Sequence, residues 1–423
     1  MFQVRQVKIR FQMNILNLSW EKYPMLICAI AMNIMVAGGF FFQFPEAGLT
    51  GDVTKSFIYH WVHAGFLFMG YVFAFINYST YAGIQFAGRG RVEYSKSEGS
   101  SLSTAWILFL YFLLFYGTFC SIETVSQLQS VGEYLIKVAN SEKIRRGVEV
   151  ASVDGGANGL IKMSSYTSLG VYSFLVHRVV QKQVSTASES ILFSVSIVSI
   201  VIKTVFTLDR LSLVFVIIGL LITKNIGGRW WRMISIFTLI GLALVTIGIS
   251  ILRVSQEGID GFRFIFLYSR LGLENFSIAL DSNVVTWGTN SFLAPIIFVL
   301  DRIGLSYYQI PQTNFIWNPA QYGYSHLYLD FRFGSLIVVM IYGWYLAKLD
   351  ADLKKNHSIF ASSTIVLWGA NTISGIGIMW IRSIDFYFIM LLSLFLTNFH
   401  RKVIGVTRQS VIIHRRMVKS QPV

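Results

Sequence analysis

Charge is scarce in this chain. Only 13% of its 423 residues are charged, against roughly a quarter in soluble domains, so there is too little to build a water-facing surface. Its two cysteines, Cys28 and Cys120, both fall inside apolar runs, which excludes a disulfide framework and any metal-ligand spacing. With six prolines in all, there is no Pro-rich or low-complexity linker. Internal repeats are absent as well. So are a Gly-rich phosphate loop, a GxSxG elbow and a His/Cys/Asp/Glu cluster of the kind that holds a catalytic metal. Residues 1–22 are basic and weakly apolar, without the apolar core or cleavage site of a signal peptide, so none is expected to be removed.

What is there is apolar. Hydrophobic residues make up 54% of the chain and the mean hydropathy is +0.57, which points to an all-α, polytopic integral membrane protein. A spanning helix needs about 20 mostly apolar residues. About ten runs meet or approach that length: residues 24–44, 57–78, 104–121, 160–176, 191–207, 211–223, 233–252, 336–347, 360–379 and 386–398. The net charge of +14 does not indicate nucleic acid, because the Lys and Arg residues sit in short loops and at both ends. With ten spans, Arg5, Lys8, Arg10, Lys22, Arg89, Arg91, Lys96, Arg178, Lys182, Lys224, Arg229, Arg232, Lys348, Lys354, Lys355 and the basic tail from Arg401 all fall on one side. That side is cytoplasmic by the positive-inside rule, and both termini are expected there. The chain reads as one membrane domain over residues 1–423. Residues 122–158 form an external amphipathic segment, with apolar positions at helical spacing for the membrane surface.

Residues 253–335 form a large external loop between spans seven and eight. Five arginines lie in it (Arg253, Arg263, Arg270, Arg302, Arg332), and it ends in the aromatic stretch QTNFIWNPAQYGYSHLYLDFRFGS. Residues 261–273 are expected to form a helix that dips into the interface. Arginine stays charged and binds anionic oxygens bidentately, so Arg253, Arg263 and Arg270 are candidate phosphate ligands. Pairing with Glu257, Asp260 or Glu274 is the structural alternative. Lys203 and Arg210 are seven residues apart. On one unbroken helix they share a face, with Lys203 about 10 Å deeper than Arg210, a pattern suited to a diphosphate at headgroup level. Lys203 snorkelling or pairing with Asp209 is the alternative there. His326 is the one histidine of the outer segment, and Asp330 follows four residues on. At the start of an eighth helix the carboxylate would orient the imidazole as a general base, although a histidine among aromatics also fits a purely structural role. Asp350 and Asp352 form a DxD beside Lys354 and Lys355, which reads as a solvated cytoplasmic turn.

Three stretches within residues 190–398 resemble the O-antigen or oligosaccharide repeat-unit polymerase (Wzy-type) family, which is related to the O-antigen ligases. TLDRLSLVFVIIGLL is similar to a short outer turn with an arginine, and YSRLGLENFSIALDS to the opening of the family's large external loop. The stretch around Asn314, closing on Asp330-Phe331, is similar to the pattern that ends that loop. One departure is clear: Arg332 stands where a glycine is common, with Gly334 two residues later.

The resemblance implies a metal-independent, inverting glycosyl transfer at the periplasmic face of a bacterial inner membrane, with no cofactor. Donor and acceptor are undecaprenyl-diphosphate-linked glycans, and a chain-length regulator protein is an expected partner. Arg210, with Arg263 or Arg270, is the implied clamp on the leaving diphosphate, and His326 the base. Tyr322, Tyr324, Trp317 and Tyr328 suit stacking on sugar rings and equally suit an interfacial aromatic belt. The alternatives are a ligase transferring glycan to lipid A core, and a flippase or exporter of lipid-linked glycan.

Overall fold

The computed structural model describes residues 23–45, 48–86, 102–126, 161, 163–181, 186–207, 210–223, 236, 238–241, 264–283, 285–289, 291–302, 323–356, 358–374 and 383–419. Among them the chain is helical, in the order α1 (Pro24–Phe40), α2 (Thr54–Phe86), α3 (Thr104–Ser126), α4 (Thr167–Val180), α5 (Ala187–Thr207), α6 (Arg210–Thr223), α7 (Phe264–Asp281), α8 (Ala294–Arg302), α9 (Gly323–Phe331), α10 (Ser335–Asn356), α11 (Ile359–Ser374) and α12 (Ile384–Lys419). A single 3-10 turn, Arg332–Gly334, separates α9 from α10. The one β feature among the described residues is an isolated bridge between Phe44 and Leu49.

Among the described residues, three stretches are long and apolar enough to cross a membrane: Thr54–Asn77, Thr104–Thr124 and Ala187–Phe206. Shorter apolar helices cover Pro24–Phe40, Leu211–Thr223 and Ile359–Ile373. Their surfaces are inverted relative to a soluble protein. On α3, Leu108, Phe112, Phe115 and Phe119 face outward, and on α5 Ile191, Val195 and Val198 do so. His60, His63, Arg178, Glu189 and Lys203 are buried inside. Apolar outside and polar inside is the arrangement a lipid environment selects, because a charge facing hydrocarbon is costly.

The closest helix crossing joins α2 and α10. A Cβ on Gly70 would overlap the Met340 carbonyl, and one on Gly343 would overlap the Leu67 carbonyl. Two glycines at one crossing let the backbones approach, as small residues do at membrane helix interfaces. The two helices run parallel: His63 Nε2 meets Ser335 Oγ at 2.8 Å near their starts, and Tyr71 donates to Asp350 at 2.7 Å further along.

Asp350 corrects an expectation. It is buried rather than solvated, and its two oxygens accept the Met25 and Leu26 N–H groups at 3.0 and 3.2 Å. Those donors belong to the first turn of α1, where Pro24 stands at the start and intrahelical acceptors are missing. A carboxylate from another helix therefore supplies the cap, aided by the helix dipole.

A second buried network ties α3, α4, α5, α11 and α12. Arg178 pairs with Glu189 at 2.8 Å and meets His400 Nε2 at 2.7 Å. Glu189 also accepts the Leu102 N–H at 2.7 Å, and His177 Nδ1 meets Ser362 Oγ at 2.7 Å. Arg178 is thus a structural charge that a loop reading does not reveal.

The helix α7 is anchored to α1. At the end of that helix, Gly38 and Gly39 leave room for α7, and a Cβ on Gly39 would lie 2.6–2.7 Å from Ser269 and the Arg270 backbone. Phe44, Leu49, Leu267 and Leu271 form a small separate core there. The helix expected over residues 261–273 is therefore longer, and it is buried in protein along Leu267, Ser269–Leu271 and Leu273–Phe276 instead of lying on a surface. Only residues 122–126 of the expected amphipathic segment are described, and they belong to the end of α3.

Candidate functional site

Four of the candidate residues, Tyr324, His326, Tyr328 and Asp330, lie on α9. Every residue from Gly323 to Asp330 is buried, so this short helix is embedded on all sides and has two polar faces. Tyr324 and Tyr328, four apart, share one face, which packs on α2. The Tyr324 ring stacks on His60 at 5.8 Å and on His63 at 5.2 Å, and Tyr328 meets Tyr59 edge-on at 6.2 Å. The Tyr324 hydroxyl donates to Asn33 Oδ1 of α1 at 3.4 Å. Burial pushes this hydroxyl above its ordinary range, which keeps it protonated as a donor.

His326 and Asp330 share the other side of α9, one turn apart. Both Asp330 oxygens are engaged by the loop ahead of α8: Thr286 Oγ1 and Ser291 Oγ donate to them. The Thr286 N–H adds a 3.0 Å bond to the Leu329 carbonyl. Asp330 thereby stitches residues 286–291 to α9. His326 is completely buried.

Asp330 and His326 do not open α10, the helix expected to follow them. α9 ends at Phe331, and Arg332 has φ +50, a left-handed conformation that glycine adopts without a Cβ penalty. The guanidinium of Arg332 lies 5.3 Å from the Tyr328 ring centroid, and its Nη1 donates to the Ala279 carbonyl at 3.4 Å. Glycine is thus the least strained residue for the position that Arg332 occupies.

Arg270 is held in protein contacts. Its Nε donates to Glu274 at 2.9 Å, with both side chains buried, and its Nη2 donates to the Gly51 carbonyl at 2.5 Å. Glu274 in turn accepts the Gly51 N–H at 3.2 Å. Burial pushes the Glu274 carboxyl up, while the Arg270 guanidinium and the Gly51 N–H draw it back. The pair closes the turn after α1 onto α7.

Lys203 and Arg210 do not lie on one continuous helix: α5 ends at Thr207 and α6 begins at Arg210. Lys203 is buried and reaches across to the first turn of α6, donating to Ser212 Oγ at 3.0 Å. Its ammonium also sits 3.9 Å over the Tyr166 ring. Lys203 thus meets the start of α6 at Ser212 and not along one helical face shared with Arg210, and the side chain of Arg210 lies outside the described residues. Arg253, Arg263, Asn314, Trp317 and Tyr322 lie outside the described residues.

His60 and His63 are missing from the sequence reading. A signal for them existed, since two histidines at i, i+3 inside an apolar span are costly unless they serve structure or function. Thr286 and Ser291 carried none, because hydroxyls in a loop are unremarkable until the carboxylate they bind is known. No group of three or more His, Cys, Asp or Glu residues suited to a metal occurs among the described residues. No protein-family model, curated protein or solved structure matches the chain.

Proposed function

We propose that this chain is a membrane glycosyltransferase that polymerises undecaprenyl-diphosphate-linked repeat units at the periplasmic face of a bacterial inner membrane. It would do so on about ten spans of roughly 20 residues, with both termini inside. The acceptor hydroxyl attacks the anomeric carbon of the donor, the bond to the diphosphate breaks with inversion, and the lipid diphosphate leaves as an anion. Arg210, with Lys203 behind it and Arg253 or Arg263 from the outer segment, is the proposed clamp that stabilises that anion. His326 is the proposed base that takes the hydroxyl proton. Because its ring is buried, the acceptor would have to open a path to it on binding. Arg270 would hold α7 in place beneath the clamp.

The observation that carries this reading is the break between α9 and α10. Asp330 closes a buried helix, a left-handed residue follows at Arg332, and the chain then enters α10, in the order of parts that the resembled pattern has. Helix ends support the ten-span scheme. It requires spans two and eight to run parallel, as α2 and α10 do. It also requires Leu102, Arg178, Glu189, Ser362 and His400 on one side; Leu102, Arg178, Glu189 and His400 form one network, and Ser362 meets His177, next to Arg178 in the chain.

In cells, Arg210→Ala is expected to abolish long glycan while single-repeat product persists, and Arg210→Lys should restore little, because the bidentate fork is lost. Chain-length distribution on a gel reads this directly. Normal length from a stably expressed Arg210→Ala protein would remove Arg210 from the clamp. His326→Gln is expected to stop elongation at normal protein levels, and unchanged chains would remove His326 as the base.

A further inference from the structure

The loop and helix ahead of α9 show an exposure pattern that their sequence alone does not explain. Trp287 is 77% exposed and has φ +48, a left-handed backbone that is unfavourable for a bulky residue. The turn is held in that shape from below: Thr286 and Ser291 grip Asp330, Thr289 Oγ1 donates to the Thr286 carbonyl at 2.5 Å, and a Cβ on Gly288 would lie 3.4 Å from the Phe331 ring. The strained turn thus presents an indole outward on a rigid base. Phe292 and Leu293 follow, both exposed. On α8 the outward residues are Ile296, Val299 and Leu300, whereas Ala294 and Pro295 are turned in. A helix facing water shows the reverse pattern.

The surroundings indicate what covers this face. The exposed ion pair Lys55–Asp281 at 2.5 Å and exposed Asn283 mark a polar border. Apolar exposure begins one turn past it on α2, at Ile58 and Trp61, and on the other branch at Trp287. Phe333 is 66% exposed and continues into the outward stripe Ile337, Ile341 and Trp344 of α10. The Phe292 and Phe331 rings, 6.3 Å apart, connect the loop to that stripe. The apolar face of residues 287–300 is therefore the upper edge of the same belt that clads the helices.

We propose that Trp287, Phe292, Leu293 and the outward residues Ile296, Val299 and Leu300 of α8 form an interfacial anchor, seated at the headgroup–acyl boundary of the bilayer. Indole rings favour that boundary because one edge is apolar and the N–H finds water. Through Asp330 the anchor fixes the height of α9 at the membrane surface. This inference is independent of the glycosyltransferase reading. It favours lipid over a glycan or protein partner, because the exposed side chains that follow Trp287 among the described residues, Phe292, Leu293, Ile296, Val299 and Leu300, are all apolar.

Site-directed spin labelling of the full chain in phosphatidylethanolamine–phosphatidylglycerol vesicles tests it. Cys28 and Cys120 are buried, so an introduced surface cysteine labels selectively. Labels at Trp287→Cys and Ile296→Cys are compared with an aqueous reference, Asn283→Cys, and a belt reference, Phe115→Cys. Collision with oxygen relative to a water-soluble nickel chelate is the readout. The expected ratio at both test sites is several-fold above that at Asn283→Cys and below that at Phe115→Cys. Nickel accessibility equal to that of Asn283→Cys at both sites would overturn the proposal and leave an aqueous face for a glycan or a protein. If Trp287→Cys does not fold, the Ile296→Cys label, outside the strained turn, decides alone.

Discussion

At the scale of single residues, Arg332 gives the sharpest prediction. Arg332→Gly and Arg332→Ala both remove the guanidinium from Tyr328 and from the Ala279 carbonyl, so comparing them isolates the backbone at φ +50. The glycine variant is expected to be more stable than the alanine variant by about 1 kcal/mol, read by thermal unfolding in detergent. Equal stabilities would mean that the turn relaxes when the side chain is lost. Arg270 and Glu274 make a second case. Arg270→Ala leaves a buried carboxylate without its guanidinium, a loss of about 3–5 kcal/mol. An Arg270→Met/Glu274→Met protein should regain much of that stability. If it does so and still elongates glycan, Arg270 positions α7; if it is stable but inactive, the guanidinium also meets substrate. Sequence alone could not choose between these roles, because Glu274 one turn on and a phosphate ligand are equally good partners for an arginine. Asp350 was misread for a similar reason. The lysines after it suggest solvent, while the N–H groups it caps lie more than three hundred residues away in sequence, beyond the reach of any local pattern.

At the scale of elements, the α2–α10 crossing rests on Gly70 and Gly343. Gly70→Val or Gly343→Val forces backbones apart and should destabilise by about 1–3 kcal/mol. The two positions share one interface, so the Gly70→Val/Gly343→Val double substitution is expected to cost less than the sum of the singles. Strict additivity in unfolding measurements would show that the two positions do not act on one crossing. Apolar run length made α2, α3 and α5 legible in the sequence. It did not reveal that α9 is a separate helix: His326, Leu327, Tyr328 and Leu329 read as the leading edge of a span, and the break depends on a left-handed residue that is not glycine. The spacing of Lys203 and Arg210 misled in the opposite sense. A seven-residue interval looks like one helical face, but α5 ends at Thr207 and α6 begins at Arg210, and Lys203 reaches α6 at Ser212.

At the scale of the whole molecule, composition determined the main result. A chain with this little charge must turn its apolar side chains outward, and the described helices do so around a polar interior of His60, His63, Lys203, Arg178 and Asp350. What composition could not supply is the connection between that interior and the outer segment, which depends on Gly38 and Gly39, on the Arg270–Glu274 pair and on the Asp330 clamp. The central claim is that this scaffold joins lipid-linked repeat units to one another. Purified protein in vesicles, supplied with undecaprenyl-diphosphate-linked repeat units and no other acceptor, tests it most directly. The account predicts a ladder of lipid-linked products that grows with time and is absent with Arg210→Ala. Products that stay at one repeat until lipid A core is added, or repeat units that cross the bilayer without lengthening, would contradict it.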